Sequence, residues 1–116
     1  MIADDSDAIR LVLKDILSIG EHEVLPEATD GAEAVDFYQE HTPDVLLLDL
    51  AMPKKDGLTV VKEIMQIDPN AKIILITASD DQKIINQCLK NGALSHISKP
   101  FDFNAVLKAI TDVLAK

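Results

Sequence analysis

The chain has 116 residues, close to the common size of one domain, and 47% of them are apolar with few aromatics, so its interior is built from Ile, Leu, Val and Ala. Twenty acids against eleven bases leave a formal charge of -9, a sign that repels phosphate backbones and argues against direct nucleic-acid binding. No stretch approaches the ~20 apolar residues that cross a bilayer and no signal-peptide pattern opens the chain, so a soluble, cytoplasmic protein is expected, and the single cysteine, Cys88, reads as a small core hydrophobe.

From the amino end, residues 1–3 form an apolar stub before Asp4-Asp5-Ser6. Ile9, Val12, Leu13, Ile16 and Leu17 then repeat at helical spacing, and Gly20 closes that helix. Residues 23–26 read as a short edge strand, and Asp30-Gly31 opens a second helix with an apolar face of Ala34, Val35, Phe37 and Tyr38. Residues 44–49 are the next strand, 52–57 a turn-rich loop, and Leu58, Val61, Ile64 and Met65 mark a third helix that ends near Asp68-Pro69. Residues 72–77 form a fourth strand. Ser79 is placed to cap the helix after it, with Asp80 and Asp81 in the first turn and Asn91-Gly92 at the end. Residues 94–98 are a fifth strand, and Asp102 caps a last helix with the stripe Phe103, Val106, Leu107, Ile110, Val113 and Leu114.

This alternation predicts a single α/β domain over 1–116, an open doubly wound parallel sheet of five strands with five helices. Such sheets put their chemistry beyond the carboxyl ends of the strands. Asp4 and Asp5 end the first strand, Asp49 the third, Thr77 the fourth and Lys99 the fifth. Asp49 stands out because the run from Val45 to Leu48 leads directly into it, and an unpartnered carboxylate there costs several kcal/mol. Three crowded carboxylates repel one another, so either some are protonated or a cation sits among them, and an all-oxygen set suits magnesium, with manganese as the alternative; calcium fits less well, and nothing has zinc-site spacing. A carboxylate can attack phosphorus when its peripheral oxygens are neutralised, here by the metal, the Lys99 ammonium and the Thr77 hydroxyl.

The segments Ile2-Ala3-Asp4-Asp5-Ser6, Leu47-Leu48-Asp49-Leu50-Ala51-Met52-Pro53, Lys54-Lys55-Asp56-Gly57, Ile76-Thr77-Ala78 and Ser98-Lys99-Pro100-Phe101 closely resemble the receiver domains of two-component response regulators, as do residues 27–34 and 91–93. The resemblance spans the whole chain. It implies a flavodoxin-like sheet with strand order 2-1-3-4-5 and a phosphorylation switch, with Asp49 accepting a phosphoryl group from a histidine kinase, a histidine phosphotransfer protein or a small phosphodonor. Asp5, Asp49 and the Ala51 carbonyl match the metal ligands, and Asp4 matches an acid linked through water. Thr77 and Lys99 match the residues that grip the phosphoryl oxygens, and the Lys99-Pro100 bond is similar to one that is cis in the family. The implied output face is the fourth helix, fifth strand and last helix, and the protein is expected as a monomer or transient dimer.

His96 stands where the family has an aromatic switch residue; histidine can also pack and swing, but it can take a proton near neutrality. The plainer reading is an exposed strand histidine. Ala51 and Ser79 occupy the positions that tune self-dephosphorylation and offer no group to orient water, so slow phosphate loss is expected. The fourth helix, around Ile84, Ile85, Cys88 and Leu89, has a narrow apolar stripe that suits a shifting element. Lys54 and Lys55 read as solvated, with steering of an acidic partner as the alternative; His22 and His41 fall in turn regions and receive no role. A phosphorelay intermediate and an aspartate-nucleophile phosphatase remain as competing readings, although the phosphatase lacks its second acid, since Ala51 stands there. A flavin carrier is disfavoured because Asp4-Asp5 would repel the flavin phosphate. The chain reads as either a stand-alone regulator or a receiver excised from a longer protein.

Overall fold

In the computed structural model, which describes all residues except 24, 25, 78–81, 100 and 116, strands and helices alternate as β1 (Ile2–Ala3), α1 (Asp7–Ile19), β2 (Glu27–Ala28), α2 (Gly31–His41), β3 (Leu46–Asp49), α3 (Gly57–Ile67), β4 (Ile73–Thr77), α4 (Gln82–Lys90), β5 (Ser95–Ser98) and α5 (Phe103–Leu114). All pairings are parallel and the order is β2-β1-β3-β4-β5. The expected topology is therefore the observed one.

Alternation along the buried strands divides the core into two layers. Ala3, Leu46, Leu48, Ile73 and Leu75 face a layer with Val35, Tyr38, Val60, Val61, Ile64, Ile85 and Cys88 from α2, α3 and α4. Ile2, Leu47, Ile74, Ile76 and Ile97 face the other, with Leu13, Ile16, Leu17, Val106, Ile110 and Val113 from α1 and α5. Both faces of the central strands are dry, so β3 can present Asp49 only at its end, where the sheet opens.

Helix starts follow local chemistry. The side chains of Ser6, Asp30, Asp56 and Asp102 accept backbone N–H bonds from Ile9, Glu33, Thr59 and Ala105, satisfying donors that the first turn leaves free. Three expectations are corrected. The edge strand is described at Glu27–Ala28, and Glu23 and Pro26 of the expected span lie outside it; proline has no N–H to give, and Pro26 enters the pairing only as an acceptor, for Ile2 N at 3.3 Å. Val24 and Leu25, within the expected span, are outside the described residues. Val12, Phe103 and Leu114 are exposed, since the stripe that each helix buries is narrower than its apolar residues. His41 is the last residue of α2 rather than part of a turn.

Candidate functional site

The site assembles where β1, β3, β4 and β5 end. The chain leaves β1 at Asp4, whose carboxylate accepts the Ser6 N–H at 2.8 Å through Oδ1 and faces Lys99 Nζ at 3.2 Å through Oδ2. Asp49 ends β3; its Oδ1 accepts the Ala51 N–H at 3.2 Å and lies 3.7 Å from Lys99 Nζ. Asp4 and Asp49 are buried and Asp5 is exposed, and each offers a carboxylate oxygen within 4.8 Å of the other two. Thr77, buried at the end of β4, comes one residue after Ile76, the partner of Asp49 across the sheet. Its carbonyl accepts the Lys99 N–H at 2.7 Å, which extends the β4–β5 ladder by one residue and fixes the backbone of Lys99 at the strand ends.

The electrostatics are set by three acids against one base. Among the described residues, Lys99 is the cation paired with the side chains of Asp4 and Asp49. Burial pushes the Asp49 carboxyl above its usual range. The Ala51 N–H opposes that shift, the Asp4 charge adds to it, Lys99 opposes it, and Asp5 adds to it again. An acidic pocket of oxygen donors, with an exposed member open to solvent and the Ala51 carbonyl nearby in sequence, fits a hard divalent cation that keeps some of its water. The donor set thus passes the chemical test for magnesium or manganese.

Asp4, Asp5, Asp49 and Lys99 come together as the strand-end rule anticipates, with Thr77 on the adjoining strand end. Ala51 is exposed just beyond Asp49. His96 is exposed on β5, opposite Leu75, and does not reach the acids among the contacts described. The Ser79 cap and its tuning position, Asp80, Asp81 and the Lys99-Pro100 bond lie outside the described residues.

The lysines of the loop after β3 are not simply solvated. Lys54 Nζ lies 3.2 Å from Asp30 Oδ2, and Lys55 Nζ donates to both carboxylate oxygens of Glu63 at 2.9 and 2.8 Å. Their partners come from α3 and from the cap of α2, which proximity in sequence does not reveal. Arg10 is a further residue of this region that the strand-end pattern does not point to. Its buried guanidinium donates to the Asp4 carbonyl at 2.5 Å and pairs with Asp7 and Glu27, tying α1 to the end of β1 behind the acid pair. The available signal was a cation three residues before Leu13, on the buried stripe of α1.

Taken together, a doubly wound parallel sheet with three clustered acids and a lysine beyond its carboxyl edge defines a flavodoxin-like α/β protein with an acidic pocket at its strand ends. A family model for the response regulator receiver domain matches residues 1–111, and the chain belongs to that family. It is 43% identical to the chemotaxis protein CheY of Thermotoga maritima, over 97% of this chain and 94% of the relative. It is also 43% identical to CheY of Bacillus subtilis, over 98% and 95%. A chain of the crystal structure of the CheX-CheY-BeF3-Mg complex from Borrelia burgdorferi superposes with a TM-score of 0.94 at 38% identity, covering 99% of this chain and 87% of that one. The chain is thus a regulatory receiver domain of the CheY type.

Proposed function

We propose that residues 1–116 form one receiver domain that acts as a phosphorylation-activated switch, with Asp49 as phosphoacceptor. The observation that carries this reading is the buried Asp49 carboxylate at the end of β3, clustered with Asp4 and Asp5 and 3.7 Å from the Lys99 ammonium. Asp5, Asp49 and the Ala51 carbonyl would hold magnesium directly and Asp4 through water; the bound ion supplies positive charge that lets carboxylate and phosphoryl oxygens approach.

An oxygen of Asp49 attacks phosphorus, a P–O bond forms, and the bond to the donor breaks. With a phosphohistidine donor the P–N bond electrons return to the imidazole; with acetyl phosphate they leave on acetate. Lys99 has its ammonium between Asp4 and Asp49 and so pairs with the charge that arrives, while the Thr77 hydroxyl takes a phosphoryl oxygen. Exchanging these partners is what gives the phosphorylated chain a different α4, β5 and α5 face for a downstream protein. A histidine kinase or phosphotransfer protein is the donor, the cytoplasm is the compartment, and the chain works as a monomer or transient dimer. Ala51 offers a methyl group where an acid or amide would orient water, so the phosphoryl group persists beyond seconds. His96, exposed on β5, sits on the output face, and His96→Tyr changes partner affinity in the phosphorylated state.

The test is to treat the protein with acetyl phosphate and magnesium and to look by mass spectrometry for one acid-stable, base-labile phosphoryl adduct per chain. Asp49→Asn abolishes it, whereas Lys99→Ala still accepts phosphate but shows a smaller structural change. An adduct that survives Asp49→Asn removes the assignment, and turnover of a phosphorylated substrate favours a phosphatase.

A further inference from the structure

The loop between β3 and α3 carries the Ala51 carbonyl, and it is tied down by groups outside the pocket. Leu50 N donates to Ile76 O at 3.2 Å and Gly57 N to Leu50 O at 3.3 Å, closing the base of the loop. Its middle is held from the side: Gly31 N, in the first turn of α2, donates to Pro53 O at 3.2 Å. Lys54 adopts the left-handed conformation at φ 71°, and its ammonium reaches Asp30 Oδ2. Asp30 is buried and has a second task, capping α2 by accepting the Glu33 N–H at 2.8 Å through Oδ1. One carboxylate therefore joins the start of a rigid helix to the tip of the loop.

We infer that the Lys54–Asp30 pair is a positioning latch that holds the Ala51 carbonyl in place and so sets how tightly the pocket binds its divalent cation. The inference rests on the reading of the pocket as a magnesium site. Magnesium demands near-ideal octahedral geometry at about 2.0–2.1 Å, so a loop that wanders by a few tenths of an ångström presents a poorer ligand. A lysine in the left-handed region is also disfavoured relative to glycine, and the pair offsets that cost.

The sign of the effect separates a latch from a neighbouring charge. A cation near the pocket repels magnesium, so if Lys54 acted only through its charge, Lys54→Ala would tighten binding. A latch predicts the opposite. Magnesium titrations by calorimetry should show Lys54→Ala weakening binding by about twofold to fivefold, the range expected of a largely exposed ion pair. Lys54→Arg restores it. Asp30→Asn, which keeps the helix cap, weakens binding alone but adds nothing to Lys54→Ala. Thermal unfolding of the metal-free variants reports any general loss of fold, which does not reproduce this pattern. Unchanged or tighter magnesium binding by Lys54→Ala, in a chain whose wild type still accepts phosphate on Asp49, overturns the latch and leaves the switch standing. A wild type that binds no magnesium overturns both.

Discussion

Lys99 Nζ stands 3.2 Å from an oxygen of Asp4 and 3.7 Å from an oxygen of Asp49, bridging two buried acids from strands that are neighbours in the sheet. Without a metal, this lysine offsets much of their repulsion. Lys99→Ala should therefore lower the stability of the metal-free protein by about 1–2 kcal/mol. Thermal unfolding with and without magnesium is the measurement: the deficit shrinks when the ion replaces the missing charge. An equal deficit in both would mean that Lys99 acts through packing alone.

The opposite sign is expected at Asp49. Burial and the charges of Asp4 and Asp5 raise its carboxyl pKa, so holding it ionised at neutral pH costs folding free energy. Asp49→Asn keeps an oxygen for the Ala51 N–H and removes that charge. The metal-free variant should be more stable than the parent at pH 7, a gain lost in saturating magnesium. A lower denaturation midpoint for the variant would contradict this.

Gly31 separates local propensity from tertiary contact. In the first turn of a helix, alanine is better than glycine by about 0.5–1 kcal/mol. A Cβ there, however, would lie 2.3 Å from the Lys55 carbonyl oxygen, a backbone atom that cannot swing aside. Gly31→Ala should destabilise by about 1–3 kcal/mol in urea unfolding and weaken magnesium binding, as the loop after β3 is pushed off its support. A stabilised variant would show that the loop yields easily.

Tyr38 is buried, and its hydroxyl donates to Asp68 Oδ2 at 2.9 Å, joining α2 to the cap that ends α3. Tyr38→Phe keeps the ring and loses this bond, at about 1 kcal/mol, or roughly 3–5 °C in the thermal midpoint. Phosphorylation of Asp49 should be untouched, because the bond lies between helices rather than at the strand ends. A parallel fall in phosphoryl acceptance would reveal an unforeseen coupling.

The alternation of strands and helices and the four principal polar residues of the pocket are legible in the residue pattern, whereas the strand order is legible only through the family resemblance. Apolar runs bounded by Asp, Gly and Pro define the alternation, and a parallel sheet with helices on both faces leaves its strand ends as the place for a charge. Asp4, Asp5, Asp49 and Lys99 meet for that reason, although they lie as far as 95 positions apart. Periodicity could not show how much of each stripe the sheet would cover, which is why Val12, Phe103 and Leu114 read as core and lie exposed. Nor could it place Pro26 and Glu27 in the pairing of β2.

Local order alone thus determined the alternation of elements and the acids at the strand ends, because both follow from hydrophobic burial along one strand or helix at a time. Only the tertiary structure decided which charges found partners: Lys54 with Asp30, Lys55 with Glu63, and Arg10 with the Asp4 carbonyl. Lysine and arginine side chains are long and their ion pairs short-ranged, so the partner depends on how helices and loops come to rest against each other.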